Sequence, residues 1–169
     1  MKKILLLALL YSGGVLAQDQ LAQAAMETAL ARTQEHTLQL AEAFDEGLYP
    51  WRPSEGIMSV AEVLTHVAAS NYYLATKMGF PPPADARVME LRELREKEAI
   101  VSALKRSSAF VLEVVGKVTD GELDTEVDFG FAKMNTMGGL LRLIEHNAEH
   151  KGQLIAYARS NGIQPPWSR

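Results

Sequence analysis

Apolar residues recur at steps of three and four along most of this chain. Met26, Leu30, Thr33, His36 or Thr37, Leu40 and Phe44 form one such stripe, the spacing that gives a helix a single buried face. It predicts a first helix over about 20–44. The stretch from Gly47 to Pro53 ends it, because prolines and the residues before them leave helical space. Val60, Val63, Leu64, Val67 and Leu74 form a second stripe. Ser59, with Glu62 three residues on, is a capping box that starts this helix. Gly79 and the run Pro81, Pro82, Pro83 stop it and make a stiff connector.

A third helix begins between Met89 and Glu98 and runs to about Val118, on the stripe Ile100, Val101, Leu104, Ser108, Val111, Leu112, Val115 and Val118. A fourth starts at Asn135 or Thr136 as N-cap and ends at Asn161-Gly162, before Pro165 and Pro166. Leu140, Leu141, Ile144, Ala148, Ile155 and Ala158 supply its apolar side. No segment reads as a convincing strand. Phe129 and Phe131 sit in the polar connection before the last helix, as a short extended piece or as a cover over one end. Four long helices predict an all-α four-helix bundle, antiparallel or with a crossover.

The N-terminus changes this picture. Lys2 and Lys3, an apolar run, and Val15-Leu16-Ala17 before Gln18 follow the order of a secretory signal peptide. The expectation is a signal peptide over 1–17, cleavage after Ala17, and a single domain over 18–169 in the periplasm or secreted. The apolar run is short and interrupted by Gly13 and Gly14, which argues against a membrane anchor. The formal net charge is −4 and becomes more negative once the two lysines leave. An acidic domain without a basic cluster argues against nucleic acid and anionic membranes as partners. There is no cysteine, so neither disulfides nor thiolates hold the fold or a metal.

The chemistry lies in the histidines, of which there are four. His146 and His150 stand four residues apart, on one helix face, close enough to converge on an ion. His66, from the second helix, would complete a three-histidine set with an open coordination position, the ligand count of catalytic rather than structural zinc sites. Alone, an H-x-x-x-H pair also fits a solvated helix face. His36 has only its place on the first helical stripe, as a cavity residue or a satisfied core histidine. The run His146-x-x-Glu149-His150 matches the inverzincin pattern. That match fails because no acidic residue follows His150 to serve as third ligand.

The stretches that carry the strongest pattern are Trp51-Arg52-Pro53, Ser59 to His66, His146-Asn147-Ala148-Glu149-His150-Lys151-Gly152-Gln153, and Arg159 to Gly162 before two prolines. Together they resemble the DinB (YfiT-like) superfamily over nearly the whole mature chain. The resemblance implies a four-helix bundle in which His66, His146 and His150 bind a divalent metal. Members include thiol-dependent transferases, a maleylpyruvate isomerase and proteins described as metal-dependent hydrolases. Homodimers are common among them, which makes a homodimer one expectation here. Export sets this chain apart from typical cytoplasmic members and disfavours the thiol-cofactor branch.

The resulting expectation is an exported, divalent-metal-binding protein and metal-dependent hydrolase, with an open water or substrate position. Zinc is the default for three imidazoles without thiolates, with nickel as the alternative. No general acid or base stands out. Glu62 is first a capping partner, Glu149 first a surface residue, and Tyr72 or Tyr73 could offer a hydroxyl. Gln153 is placed to orient a ligand or bound water, and Gly152 to let another helix approach. The alternative is a bundle that binds metal or a small molecule without turnover. A haem bundle lacks the C-x-x-C-H attachment sequence and has no use for three clustered histidines.

Overall fold

Ser59 begins its helix as the sequence predicts. Its hydroxyl accepts from the Glu62 amide at 3.2 Å, and the Glu62 carboxylate accepts from the Ser59 amide at 2.6 Å. The computed structural model describes residues 5–168, with side chains from residue 22 onward. The expected signal peptide therefore lies outside the described residues at 1–4, and continues into a stretch described by its backbone alone.

Four long helices carry the fold: α1 (Leu5–Ala43), α2 (Val60–Lys77), α3 (Lys97–Lys117) and α5 (Thr136–Ser160). A single turn, α4 (Asp120–Leu123), and two short strands, β1 (Glu126–Asp128) and β2 (Lys133–Asn135), fill the last connection. Among the described residues no helix is long and apolar enough to cross a membrane.

Packing defines the topology. The main helix contacts are α1 with α3 and α5, and α2 with α3 and α5, so α1 faces α2 across the bundle diagonal. One core cluster joins Leu40 and Phe44 of α1 to Val60 and Leu64 of α2, Ile100 and Leu104 of α3, and Leu154 and Tyr157 of α5. The other joins Met26 and Leu30, Leu74, Val111 and Val115, and Leu140 and Leu143. Thus α1 and α5 run one way, and α2 and α3 the other. Joining two parallel helices requires a crossover along the bundle. Residues 78–96 provide it, with the three prolines and two short 3-10 turns. Of the two expected topologies, the crossover bundle is the one formed.

Two stripes shift from their expected positions. Ser107, not Ser108, is buried in α3, and Leu143 replaces Leu141, which is 54% exposed. Both shifts come from polar residues that pair inside the core. Asn147 Nδ2 donates to Asn71 Oδ1 at 2.9 Å, and Asn71 Nδ2 donates to Ser107 Oγ at 3.2 Å. A buried amide satisfied this way occupies a core position that a hydrophobic count passes over.

The two strands correct the expectation of no strand. They pair antiparallel with Val127 opposite Met134. Asp128 Oδ1 accepts from the Gly130 amide at 2.8 Å, and Gly130 sits at φ 86°, a left-handed turn that favours glycine. The hairpin drives Phe129 fully into the core. Gly139 on α5 makes room for it: a Cβ there would stand 3.0 Å from Met78 Sδ and crowd the Phe129 ring. Gly152, expected to admit a helix, faces open space instead.

Candidate metal centre

His66 lies two turns into α2, and His146 and His150 lie one turn apart on the facing side of α5. His66 and His146 are 80 residues apart in sequence, yet their Nε2 atoms are 3.1 Å apart. One ligand nitrogen from each of the three imidazoles falls within 4.8 Å of the others. Among the described residues this is the one cluster of three or more His, Cys, Asp or Glu that could hold a metal. Tetrahedral zinc–nitrogen bonds of about 2.0–2.1 Å imply nitrogens roughly 3.3 Å apart. The observed spacing of the His66–His146 pair fits that demand.

The protein fixes the tautomer of His150. Its Nδ1 donates to Gln153 Oε1 at 2.9 Å, which leaves Nε2 as the ring's lone pair. Gln153 Nε2 then donates to the Tyr157 hydroxyl at 2.8 Å, and that hydroxyl donates to the Met58 carbonyl at 2.9 Å. The chain of bonds anchors a ring on α5 to the loop before α2. Nδ1 of His146 is buried with no hydrogen-bond partner, so packing alone holds that edge of the ring. The role expected of Gln153, orienting a ligand, matches the geometry.

Electrostatics keeps two of the rings neutral. Burial, then the fields of His150, His66 and Arg142, push His146 down to about 3. Burial, followed by His150 and Arg92, lowers His66 as well. A neutral imidazole offers the lone pair that a cation needs. These shifts also set an acid response. In the unfolded chain His146 takes a proton near its ordinary 6.5, whereas the folded chain resists until about 3. The unfolded state binds more protons throughout that window, so stability is full above it and falls as the pH falls. The metal-free protein is expected to lose up to about 1.4 kcal/mol per pH unit through His146. Urea midpoints measured across this range should decline, and His146→Asn should flatten the slope.

All three histidines face one cavity of about 700 Å³, well within the range of small-molecule sites. Its walls include Ala69, Ser70, Tyr73 and Leu74 of α2, Val88, Met89 and Arg92 of the crossover, Phe131 of the hairpin, and Arg142 and Glu149 of α5. The other sequence candidates divide. Tyr73 and Glu149 line the cavity; the Tyr73 hydroxyl donates to the Phe129 carbonyl and ties α2 to the hairpin. Tyr72 is buried against Phe110 and lies outside the walls. Glu62 is held by its cap and by Arg52 at 3.0 Å. His36 stacks on Trp167 with ring centroids 3.9 Å apart, away from the cavity. Arg142 and Arg92 escaped the sequence reading. Arg142 stands one turn before His146, a spacing that could have flagged it. Arg92 carries no such signal.

Comparison with known proteins agrees with this architecture. The Bacillus subtilis (strain 168) protein YjoA is 30% identical over 131 residues, covering 75% of this chain and 82% of its own. The crystal structure of that DinB-like protein superposes with a TM-score of 0.64 over 82% of this chain and 92% of its own, at 22% identity. A DinB-like protein from Bacillus cereus ATCC 10987 gives a TM-score of 0.68 at 18% identity, over 79% and 89% of the two chains. A conserved protein of Enterococcus faecalis gives 0.64 at 16% identity, over 80% and 94%. These likenesses speak for the fold. The family model of the DinB superfamily matches residues 29–154, and over that span, which contains all three histidines, the chain belongs to the DinB superfamily.

Proposed function

We propose that this protein is an exported metal-dependent hydrolase that binds one divalent ion through His66, His146 and His150. One observation carries the reading: three imidazole nitrogens converge within 4.8 Å on the wall of a cavity large enough for a small substrate. Zinc, with nickel as the alternative, would supply a Lewis acid with a coordination position left open to water or substrate. The chain's own residues do the rest. Gln153 holds the His150 ring in its ligating tautomer. Glu149 is the carboxylate on the cavity wall, and so the group placed to accept a proton. Met89, Tyr73 and Phe131 give one side of the cavity an apolar wall. Export rests on the charged, apolar and small-residue order of the first 17 positions.

The test is turnover of an ester, amide and lactone panel by the purified zinc or nickel form, before and after chelation. Activity that disappears with the metal and returns on reloading supports the hydrolase. A metal-loaded protein inert to the whole panel moves the reading to a binding bundle without turnover. Gln153→Ala is expected to weaken metal binding by about 10–100-fold, as loss of an orienting partner does elsewhere. Competition with a coloured chelator measures it, and an unchanged affinity would remove Gln153 from the site.

A further inference from the structure

Two guanidinium groups from different parts of the chain face the proposed metal cavity. Arg92 comes from the crossover and Arg142 from α5. Arg142 is engaged by Glu145 at 2.9 Å and more loosely by Glu149 at 3.9 Å. Arg92 has no side-chain hydrogen bond or ion pair among the described residues. This concentration of positive charge sits on a chain of net charge −4. It is also in the wrong place if the cavity's task is only to hold a cation, since like charges raise the cost of placing one there. Glu149 is the one carboxylate in the wall, and Arg142 already draws on it. A cation at the histidines would leave the cavity with excess positive charge, which an anionic ligand would complete.

The remaining wall has the opposite character. Five large hydrophobic side chains are exposed on the described surface, and three of them, Tyr73, Met89 and Phe131, line this cavity. Met89 is 91% exposed. Apolar side chains gathered at one cavity mouth mark a surface that expects apolar contact. A planar guanidinium fork suits a carboxylate or phosphate, and it is less strongly hydrated than an amine.

We infer that the cavity takes a small organic anion with an apolar body, its carboxylate or phosphate held by Arg92 and Arg142 and its other end directed to the histidines. This inference rests on the metal-centre reading above for what happens at the histidine end. The anion subsite itself stands on the two arginines and the apolar wall.

Calorimetric titration of the full chain, zinc-loaded and metal-free, with phenylacetate, phenyl phosphate and neutral phenylacetamide tests it. At least one anion is expected to bind about tenfold or more tightly than the amide. Arg92→Gln with Arg142→Gln should abolish that preference with zinc content and helicity unchanged. Arg92→Gln alone, at an exposed residue, should weaken it several-fold and covers the case in which the double variant does not fold. Which anion binds better distinguishes a carboxylate from a phosphate ligand. No binding of either anion at millimolar concentration overturns the inference. So does a preference that survives in the double variant, which would place the anion on the metal and leave the metal reading intact. A protein that takes up no zinc but keeps an arginine-dependent preference would instead refute the hydrolase and retain the anion subsite.

Discussion

Replacing His146 with alanine is expected to take the protein from about one bound zinc or nickel per chain to almost none. The imidazole whose Nε2 stands 3.1 Å from the His66 Nε2 is then gone. Loss of a mere orienting partner costs about 10–100-fold in affinity, so loss of a ligand should exceed that. His66→Ala should do the same from the other helix. Elemental analysis of the purified proteins beside wild type reads the effect directly. The substitution should not unfold the bundle, because His146 makes no hydrogen bond through Nδ1 and its removal relieves an acid-labile buried ring. Wild type without metal after incubation with zinc would remove the basis of the hydrolase. Wild type with metal and His146→Ala with equal metal would place the ion elsewhere.

Phe129→Ala is expected to be the most damaging single change to stability outside the helices, at about 3–5 kcal/mol. Its ring is completely buried, in one core cluster with Val118, Leu140 and Leu143, and truncation would leave a cavity there. That loss is a large share of the roughly 5–15 kcal/mol that holds a domain together. A melting point lower by about 10 °C is expected from the usual conversion for a chain of this size. Because Phe129 roots the hairpin that brings Phe131 to the cavity, the variant should also bind apolar probes less well. Thermal unfolding followed by circular dichroism provides the measurement. A shift of only a degree or two would mean that the hairpin is not docked as described.

Much of this fold is legible in the sequence, and the exceptions have identifiable causes. The second helix is read correctly at its start because a capping box is a local signal with two reciprocal bonds. The ends of α5 are read from Asn135, whose side chain accepts from the Gly138 amide, and from Asn161-Gly162. The α5 stripe is read imperfectly because its true buried line passes through His146, Asn147 and His150. A hydropathy pattern cannot anticipate a core position taken by paired amides and clustered imidazoles. The hairpin escapes because strands of three residues have too few positions to show alternation. Its anchoring pocket at Gly139 escapes because the partner, Phe129, is unknown until the hairpin is folded.

The candidate site divides along the same line. His146 and His150 are found because helical spacing puts both on one face, and His66 because the resemblance to the DinB superfamily singles it out. Gln153 is found because it follows His150 by nearly one turn. Arg92 is missed because it belongs to the crossover, whose position along the bundle depends on which helices are parallel. That is a tertiary fact, and no local pattern in residues 78–96 encodes it.

The distance in sequence between His66 and His146 has a further consequence. An ion gripped by both would cross-link the chain and close a loop of 80 residues. Loop-closure entropy for a link of that span amounts to roughly 4–5 kcal/mol in the unfolded ensemble, if the ion stays bound there as a disulfide would. A reversible ligand instead contributes by its preference for the folded chain, growing with free metal concentration. In a protein with no cysteine, the imidazole cluster would then act as a staple whose strength follows metal supply, so that depletion would expose the chain to proteolysis before any enzymatic activity is assayed.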